Sequence, residues 1–278
     1  MQKSNFSNKV VFYILLVVLG SVAVFPYIWL ISSSLKPEPM IFTIPPRIIP
    51  KTVTLKNYID AITKSLILRW LLNSTIVTAI VIVLGSVVAS LAGYAYAKIR
   101  FPGASLLFLL PLCAMMIPKE VIVVPLFNMW SKLHLVDTWV PLITPNILGV
   151  GGMYGVFLFR QFYLSIPVEL CEAAKIDGCS PYGVYLRIML PNSQSMLVTF
   201  AIYNFMNTWN DFLDPLIFLN TAKKYTVALG LNLYNDMTDV LWGQLLSACV
   251  LSTLPLIILF FIAQDKFIES VALSGMKS

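Results

Sequence analysis

Six stretches of the chain are apolar over lengths that suit a bilayer. A hydrocarbon core of about 30 Å takes about 20 residues of helix. Val10 to Leu35 carries no charge and is bracketed by Lys9 and Lys36. Trp70 to Ala97 is uncharged between Arg69 and Lys98. Pro102 to Trp130 is interrupted only by Lys119 and Glu120, and Thr138 to Phe159 is uncharged up to Arg160. From Ile188 the chain is uncharged to Asn210, and apart from Asp211 and Asp214 its apolar character continues to Leu219. The last stretch runs from Val240 to Gln264. The pattern predicts an all-α membrane protein, one transmembrane domain over 1–278, with six transmembrane helices at 10–35, 70–97, 102–130, 138–159, 188–219 and 240–264. An even number of spans puts both termini on one side. The first run exceeds the 7–15 apolar residues of a secretory signal and reads as an uncleaved helix.

The segments between the runs differ in kind. Residues 36–69 hold Pro37, Pro39, Pro45, Pro46 and Pro50 and read as an extended surface excursion. Residues 221–239, with Lys223, Lys224, Asp236 and Asp239, form a second polar excursion. Residues 160–187 read as ordered. No internal repeat is visible, which weighs against an inverted-repeat transporter.

Composition narrows the class. The chain is 58% hydrophobic and 12% charged, against about 25% charged in a soluble domain. That excludes a water-covered globule and a disordered chain. The net charge of +6 fits loop anchoring and does not argue for nucleic acid. The basic residues divide evenly between the two sides, so charge alone leaves orientation open. Cys113, Cys171, Cys179 and Cys249 make no CxxC pair, and His134 reads as a loop residue. Neither a disulfide framework nor a metal site is expected. The chain has no GxxxxGK[ST] loop, so it is expected to bind no nucleotide by that route and to have no catalytic residues.

One loop is punctuated as a helix. In Ile166-Pro-Val-Glu-Leu-Cys-Glu-Ala-Ala-Lys-Ile-Asp-Gly178, Pro167 suits a first turn and Gly178 the position after the last. Glu169 and Glu172 lie toward the positive end of the helix dipole and Lys175 toward the negative end. A helix of about eleven residues follows, resting on lipid or facing a partner; Ala173 and Ala174 would let a partner approach closely.

Glu172-Ala-Ala-Lys-Ile-Asp-Gly178, followed by Ile188-Met-Leu-Pro191, resembles the EAA loop of ABC importer permeases. Trp209-Asn-Asp-Phe-Leu-Asp-Pro-Leu216 resembles a segment of the maltose-type carbohydrate permeases. Asn57-Tyr58, Asn73-Ser74, Tyr94 to Lys98 with Phe101-Pro-Gly103, Ile117-Pro118, Pro125-Leu126, Asp265-Lys-Phe-Ile268 and Lys277 extend the likeness over nearly the whole chain. It is nearest to the second permease subunit of such heterodimers. Cys179, Ser195, Ser270 and Ser274 depart from the family's usual residues.

The resemblance implies a type I ABC importer permease fold, with the cytoplasmic coupling loop 160–187 between helices four and five. It implies a bacterial plasma membrane location with both termini cytoplasmic. The expected partners are a second permease subunit, an ATP-binding subunit dimer, an extracytoplasmic sugar-binding protein and the bilayer. ATP and Mg would bind the partner ATPase, leaving this chain without a cofactor. The resemblance assigns ATPase coupling to Glu172, Ala173, Ala174, Asp177, Gly178, Leu190 and Pro191. Asp177 and Arg187 suit local bracing equally well.

Polar residues inside spans are costly and point to function. Asn204, Asn207, Thr208 and Asp211 recur at i, i+3, i+4 and i+7, and predict one helical stripe flanked by Tyr203 and Trp209. The stripe lines a translocation path or bonds to the partner permease. Lys119 and Glu120 after Pro118 mark a charged pair at a proline break. The function expected is ATP-driven alternating-access import of a di- or oligosaccharide. The competing readings are a glycerol-3-phosphate-type importer, an ion-coupled secondary transporter and a membrane scaffold without transport. The secondary transporter would need carboxylates within the spans, whereas Glu120, Asp211 and Asp214 all lie toward span ends.

Overall fold

The computed structural model describes residues 6–234 and 240–275. Along the chain run α1 (Phe6–Ser34), α2 (Lys56–Lys64), α3 (Ile67–Lys98), α4 (Ala104–Met115), α5 (Lys119–Lys132), α6 (Val140–Leu148) and α7 (Val150–Ser165). Then come α8 (Val168–Ile176), α9 (Pro181–Val184), α10 (Leu190–Asn192), α11 (Gln194–Trp209), α12 (Leu213–Phe218), α13 (Val227–Asn232) and α14 (Trp242–Gly275). No strand occurs among the described residues.

Among the described residues four segments are long and apolar enough to cross a membrane: Lys9–Ser34, Ile67–Lys98, Val140–Ser165 and Trp242–Ile262. They are five if α4 and α5, bent by 99° at the break between them, count as one. The stretch expected to be the remaining span, 188–219, is divided. Its longest piece, α11, has sixteen residues.

The chain parts into two compact units, residues 1–67 with 231–254 and residues 68–230 with 255–278. In the first unit α1 is uncharged from Val10 to Ser34 and its apolar window has no buried residue. The excursion after it is held by side chains. Asn57 Nδ2 donates to the carbonyls of Ser34 (2.7 Å) and Lys36 (2.8 Å), closing the end of α1. Glu38 accepts from the N–H groups of Trp242 (2.7 Å) and Gly243 (2.8 Å), capping the start of α14. The expected extended segment 36–69 thus carries α2, seated on buried Asn57 and Ala61.

The core of the second unit gathers Ala89, Tyr94, Phe159, Tyr163, Val184, Met189 and Phe200. Gly155 is where α7 meets its neighbours: a Cβ there would stand 2.4 Å from Phe200 Cζ and 2.7 Å from Ala89 Cβ. Only glycine permits that approach. A second cluster joins Val77, Trp130, Leu142, Phe218, Leu219 and Leu229. Beside it Asp137 anchors the chain at 220–224. Its carboxylate accepts from the N–H groups of Asn220 and Thr221 (both 2.9 Å), from Thr221 Oγ1 (2.7 Å) and from Lys224 Nζ (2.9 Å). Burial works to raise this carboxyl, but the hydrogen bonds from Lys224, Thr221 and Asn220 outweigh it and hold it well below the usual carboxylate range. Trp70 Nε1 takes the Ala222 carbonyl and Asn73 Nδ2 those of Lys223 and Tyr225. The beginning of the second polar excursion is therefore pinned; Asp236 and Asp239 lie outside the described residues.

Helix breaks organise this unit. Pro118 cannot donate into a ladder, and the residue before a proline is driven from helical backbone; α4 ends and α5 starts afresh at Lys119. Gly149, with φ −95° and ψ −150°, separates α6 from α7. Residues 210–212 separate α11 from α12. From Pro181 to Asn192 the helix changes gauge: Tyr185–Met189 is a π-helical turn between α9 and α10.

Candidate functional site

Two places carry the residues singled out above. The first is the loop helix α8. Pro167 precedes it at φ −54° and ψ 137°, and Asp177 closes it. Gly178 stands at φ +81°. Its N–H donates to Lys175 O (3.0 Å), and the Cys179 N–H reaches back to Ala174 O (2.9 Å). That pair of bonds is a Schellman motif, which wants glycine at the left-handed position. The helix has two faces. Cys171 and Ala174 are buried in the core, while Glu169, Glu172, Ala173, Lys175, Asp177 and Gly178 are exposed. Of the two alanines, Ala173 is therefore the one presented outward. Leu190 is half-buried and Pro191 exposed. Arg187 Nη1 lies 3.9 Å from Cys179 Sγ.

Behind α8, four hydroxyls link separate elements. Ser90 on α3 bonds Tyr163 OH (2.7 Å) and Tyr185 OH (3.0 Å), and Tyr163 donates to Ser193 (3.3 Å). Tyr94 OH donates to Pro181 O (2.9 Å) and Lys98 Nζ to Ile166 O (2.6 Å). The loop is thereby bonded to α3, α7 and the start of α11. Nothing in the spacing of these residues announced the network.

The second place is a cavity of about 620 Å³. All three helix breaks border it: Ile117 and Lys119 at the first, Asn146 and Leu148 to Gly151 around the second, Asp211 in the third with Asp214 in the first turn of α12. Irregular backbone at membrane depth is tolerated where it borders such a cavity. Asn204 and Asn207 line it from α11, with Tyr203 beside them. Walls of Ile122, Val123, Leu126 and Met153 are apolar.

The expected stripe is altered in two ways. Helix α11 ends at Trp209, so Asp211 lies past it, in the break. It nonetheless joins Asn204 and Asn207 at the cavity. Thr208 is buried and is not among the lining residues. Asn207 Nδ2 returns to Tyr203 O (3.1 Å). Asn204 is 2% exposed, and its Nδ2 and Thr208 Oγ1 have no hydrogen-bond partner among the described residues.

Charge gathers at the same wall. Lys119 Nζ lies 2.7 Å from Asp214 Oδ2 and 3.4 Å from Asp211 Oδ2. Asp211 Oδ1 also accepts the Asp214 N–H (3.3 Å). Of the two charges at the proline break, Lys119 lines the cavity and pairs with two carboxylates about ninety residues on, while Glu120 is exposed. Asp214 is the residue that periodicity missed. The signal was its spacing: Asp211 and Asp214 are the two acids of 188–219, three apart.

Known proteins bear on both places. The family described as binding-protein-dependent transport system inner membrane component matches residues 82–272. The arabinooligosaccharides transport system permease protein AraQ of Halalkalibacterium halodurans is 37% identical over 263 residues, covering 92% of each chain. In the crystal structure of a bacterial ABC transporter involved in the import of the acidic polysaccharide alginate, one chain superposes with a TM-score of 0.80 at 18% identity, covering 95% of this chain and 98% of that one. A second structure, of a bacterial alginate ABC transporter in complex with an alginate pentasaccharide-bound periplasmic protein, matches with a TM-score of 0.64 at 14% identity over 92% of this chain and 93% of that one.

Proposed function

Because the chain belongs to the family of binding-protein-dependent transport system inner membrane components, we propose that it is the permease subunit of an ABC importer for a di- or oligosaccharide. The observation that carries this is the cavity where three helix breaks converge on amide, phenol and carboxylate side chains. Sugars offer hydroxyls to such groups and C–H faces to aromatic rings, and the volume falls within the range of small-molecule sites. Among the described residues Lys119 is the one cation lining the cavity, and it is committed to two carboxylates. That disfavours an anionic cargo such as a glycerol phosphate. A relative that serves as the permease of an arabinooligosaccharides transport system supports the sugar reading.

In this reading the chain crosses the membrane six times, with 188–219 as the broken fifth span and both termini cytoplasmic. Helix α8 is the coupling helix. Glu172, Ala173, Asp177 and Gly178 meet the ATPase directly, and Ala174, Leu190 and Pro191 transmit the load inward. The ATPase dimer holds ATP and Mg, a second permease completes the cavity, and a binding protein delivers the sugar from outside. ATP-driven closure pulls α8, the hydroxyl network carries the motion, and the helix breaks act as pivots for alternating access.

The test is uptake of labelled arabino- and malto-oligosaccharides into proteoliposomes holding the full complex. Asn204→Ala with Asn207→Ala should lower uptake by about tenfold, the effect of losing two neutral hydrogen bonds. Unchanged uptake would remove the cavity from the path. Uptake that persists without the ATPase would overturn the importer reading in favour of an ion-coupled transporter.

A further inference from the structure

The excursion after α1 holds a group of cations with no acid among them. Lys36, two residues beyond the end of α1, is 2% exposed. Its Nζ donates to Arg47 O (2.6 Å) and Ser33 Oγ (3.3 Å), and it stands 4.4 Å from the centre of the Trp29 ring. These partners are neutral. Lys36, Arg47 and Lys51, with Thr43 and Thr52, line a small cavity of about 210 Å³.

Residues 36–67 contain two acids, Glu38 and Asp60, and both are engaged elsewhere. Glu38 uses its two oxygens on the Trp242 and Gly243 N–H groups, and Asp60 pairs with Lys64 (3.0 Å). Among the described residues no carboxylate meets Lys36, Arg47 or Lys51. Removing an ammonium from water without an anion is costly, and burial pushes Lys36 below its ordinary value.

The rim of the same segment is apolar. Phe42, Ile44, Ile48, Ile49 and Val53 are exposed, Ile44 at 97% and Ile49 at 83%. A loop standing in water gains nothing from displaying them. Apolar tips beside basic sockets, close to the end of an apolar helix, match the chemistry of a lipid–water boundary: alkyl groups enter the acyl region and cations meet phosphates. Arg47 adds a planar fork that grips phosphate through two N–H donors.

We propose that residues 36–55 lie along the lipid–water interface and that the Lys36–Arg47–Lys51 cavity binds the phosphate of a phospholipid. Phe42, Ile44 and Ile49 flank the bound lipid and reach its chains. The site is independent of the sugar path and works as a lipid clamp at the end of the first span.

The test uses the assembled complex in mild detergent, stripped of lipid and titrated with phosphatidylglycerol under native mass spectrometry. Arg47 and Lys51 are exposed, so Arg47→Gln with Lys51→Gln should leave the fold intact. Their loss should weaken the tightest lipid-binding step by about 25-fold, fivefold for each cation removed. Inorganic phosphate at matching concentration should not displace the lipid. Equal lipid affinity in the double variant overturns the proposal, and so does a site that takes free phosphate but no lipid. A fluorophore at Ile49→Cys in proteoliposomes gives a second readout. Quenching by brominated acyl chains is expected. Quenching by aqueous iodide alone, or protection by the binding protein alone, would assign the surface to water or to a protein partner.

Discussion

Asp137 and Asp214 each face a lysine at nearly the same distance, 2.9 Å from Lys224 and 2.7 Å from Lys119, yet their surroundings differ. Asp137 collects two backbone N–H groups, a hydroxyl and an ammonium. Every donor is held by the turn it stabilises. Asp214 shares one partly solvated lysine with Asp211, at a cavity where Asn204 Nδ2 has no partner. Fixed donors per carboxylate separate the two. The first cluster has its acceptors saturated by fixed donors, and the second leaves polar capacity unused.

The largest effect should come from removing the shared cation. Lys119→Met strands two carboxylates, Asp214 being 2% exposed. A fully buried pair broken in this way costs roughly 3–5 kcal/mol, and partial solvation of Lys119 brings the expectation to about 2 kcal/mol. Thermal unfolding of the complex should show the loss, and Lys119→Met with Asp214→Asn should restore most of it. Failure of that rescue would mean that the charges are not what couples these positions.

Next in size is Asp137→Asn, expected to cost about 1–2 kcal/mol at neutral pH. The sign follows from its depressed folded value. Its contribution is complete above about pH 4, the unfolded value, and is lost as pH falls through the folded one. The wild type should therefore lose stability on acidification below that point, and the variant should lose less. Parallel pH profiles would contradict the saturated-cluster description.

Gly178→Ala should cost about 1 kcal/mol through left-handed strain at the Schellman position. Its diagnostic readout is weaker stimulation of ATP hydrolysis by the loaded binding protein. The smallest stability effect belongs to Asn204→Ala, under about 1 kcal/mol, since no partner is orphaned. A larger fall in melting temperature would show that Asn204 belongs to the scaffold after all.

The long apolar runs were legible because composition over twenty residues outweighs local detail: α1, α3 and α14 lie where hydropathy puts them. The breaks were not. Pro118 ends a helix, but Pro26, Pro111, Pro125, Pro145 and Pro255 all lie inside helices. Neighbouring packing decides which proline interrupts, and periodicity does not record it. Asp211 reaches the cavity from outside the helix, since helical spacing extends the stripe past Trp209, the last helical residue. The loop helix was readable from Pro167 and Gly178 because caps are local. The outward choice of Ala173 over Ala174 depends on the core behind α8, which no local signal reveals.

The π turn at Tyr185–Met189 sets a phase. Each residue of α-helix advances by about 100°, and a π turn is the trace of one residue inserted into a helix. Between the loop and the cavity, that extra residue fixes the azimuth at which α11 offers Asn204 and Asn207. Changing the length here by one residue would leave composition and hydropathy almost untouched, yet aim those amides at a different neighbour. The segment works as an indexing step, and its residue count, more than its residue types, sets where α11 aims those amides.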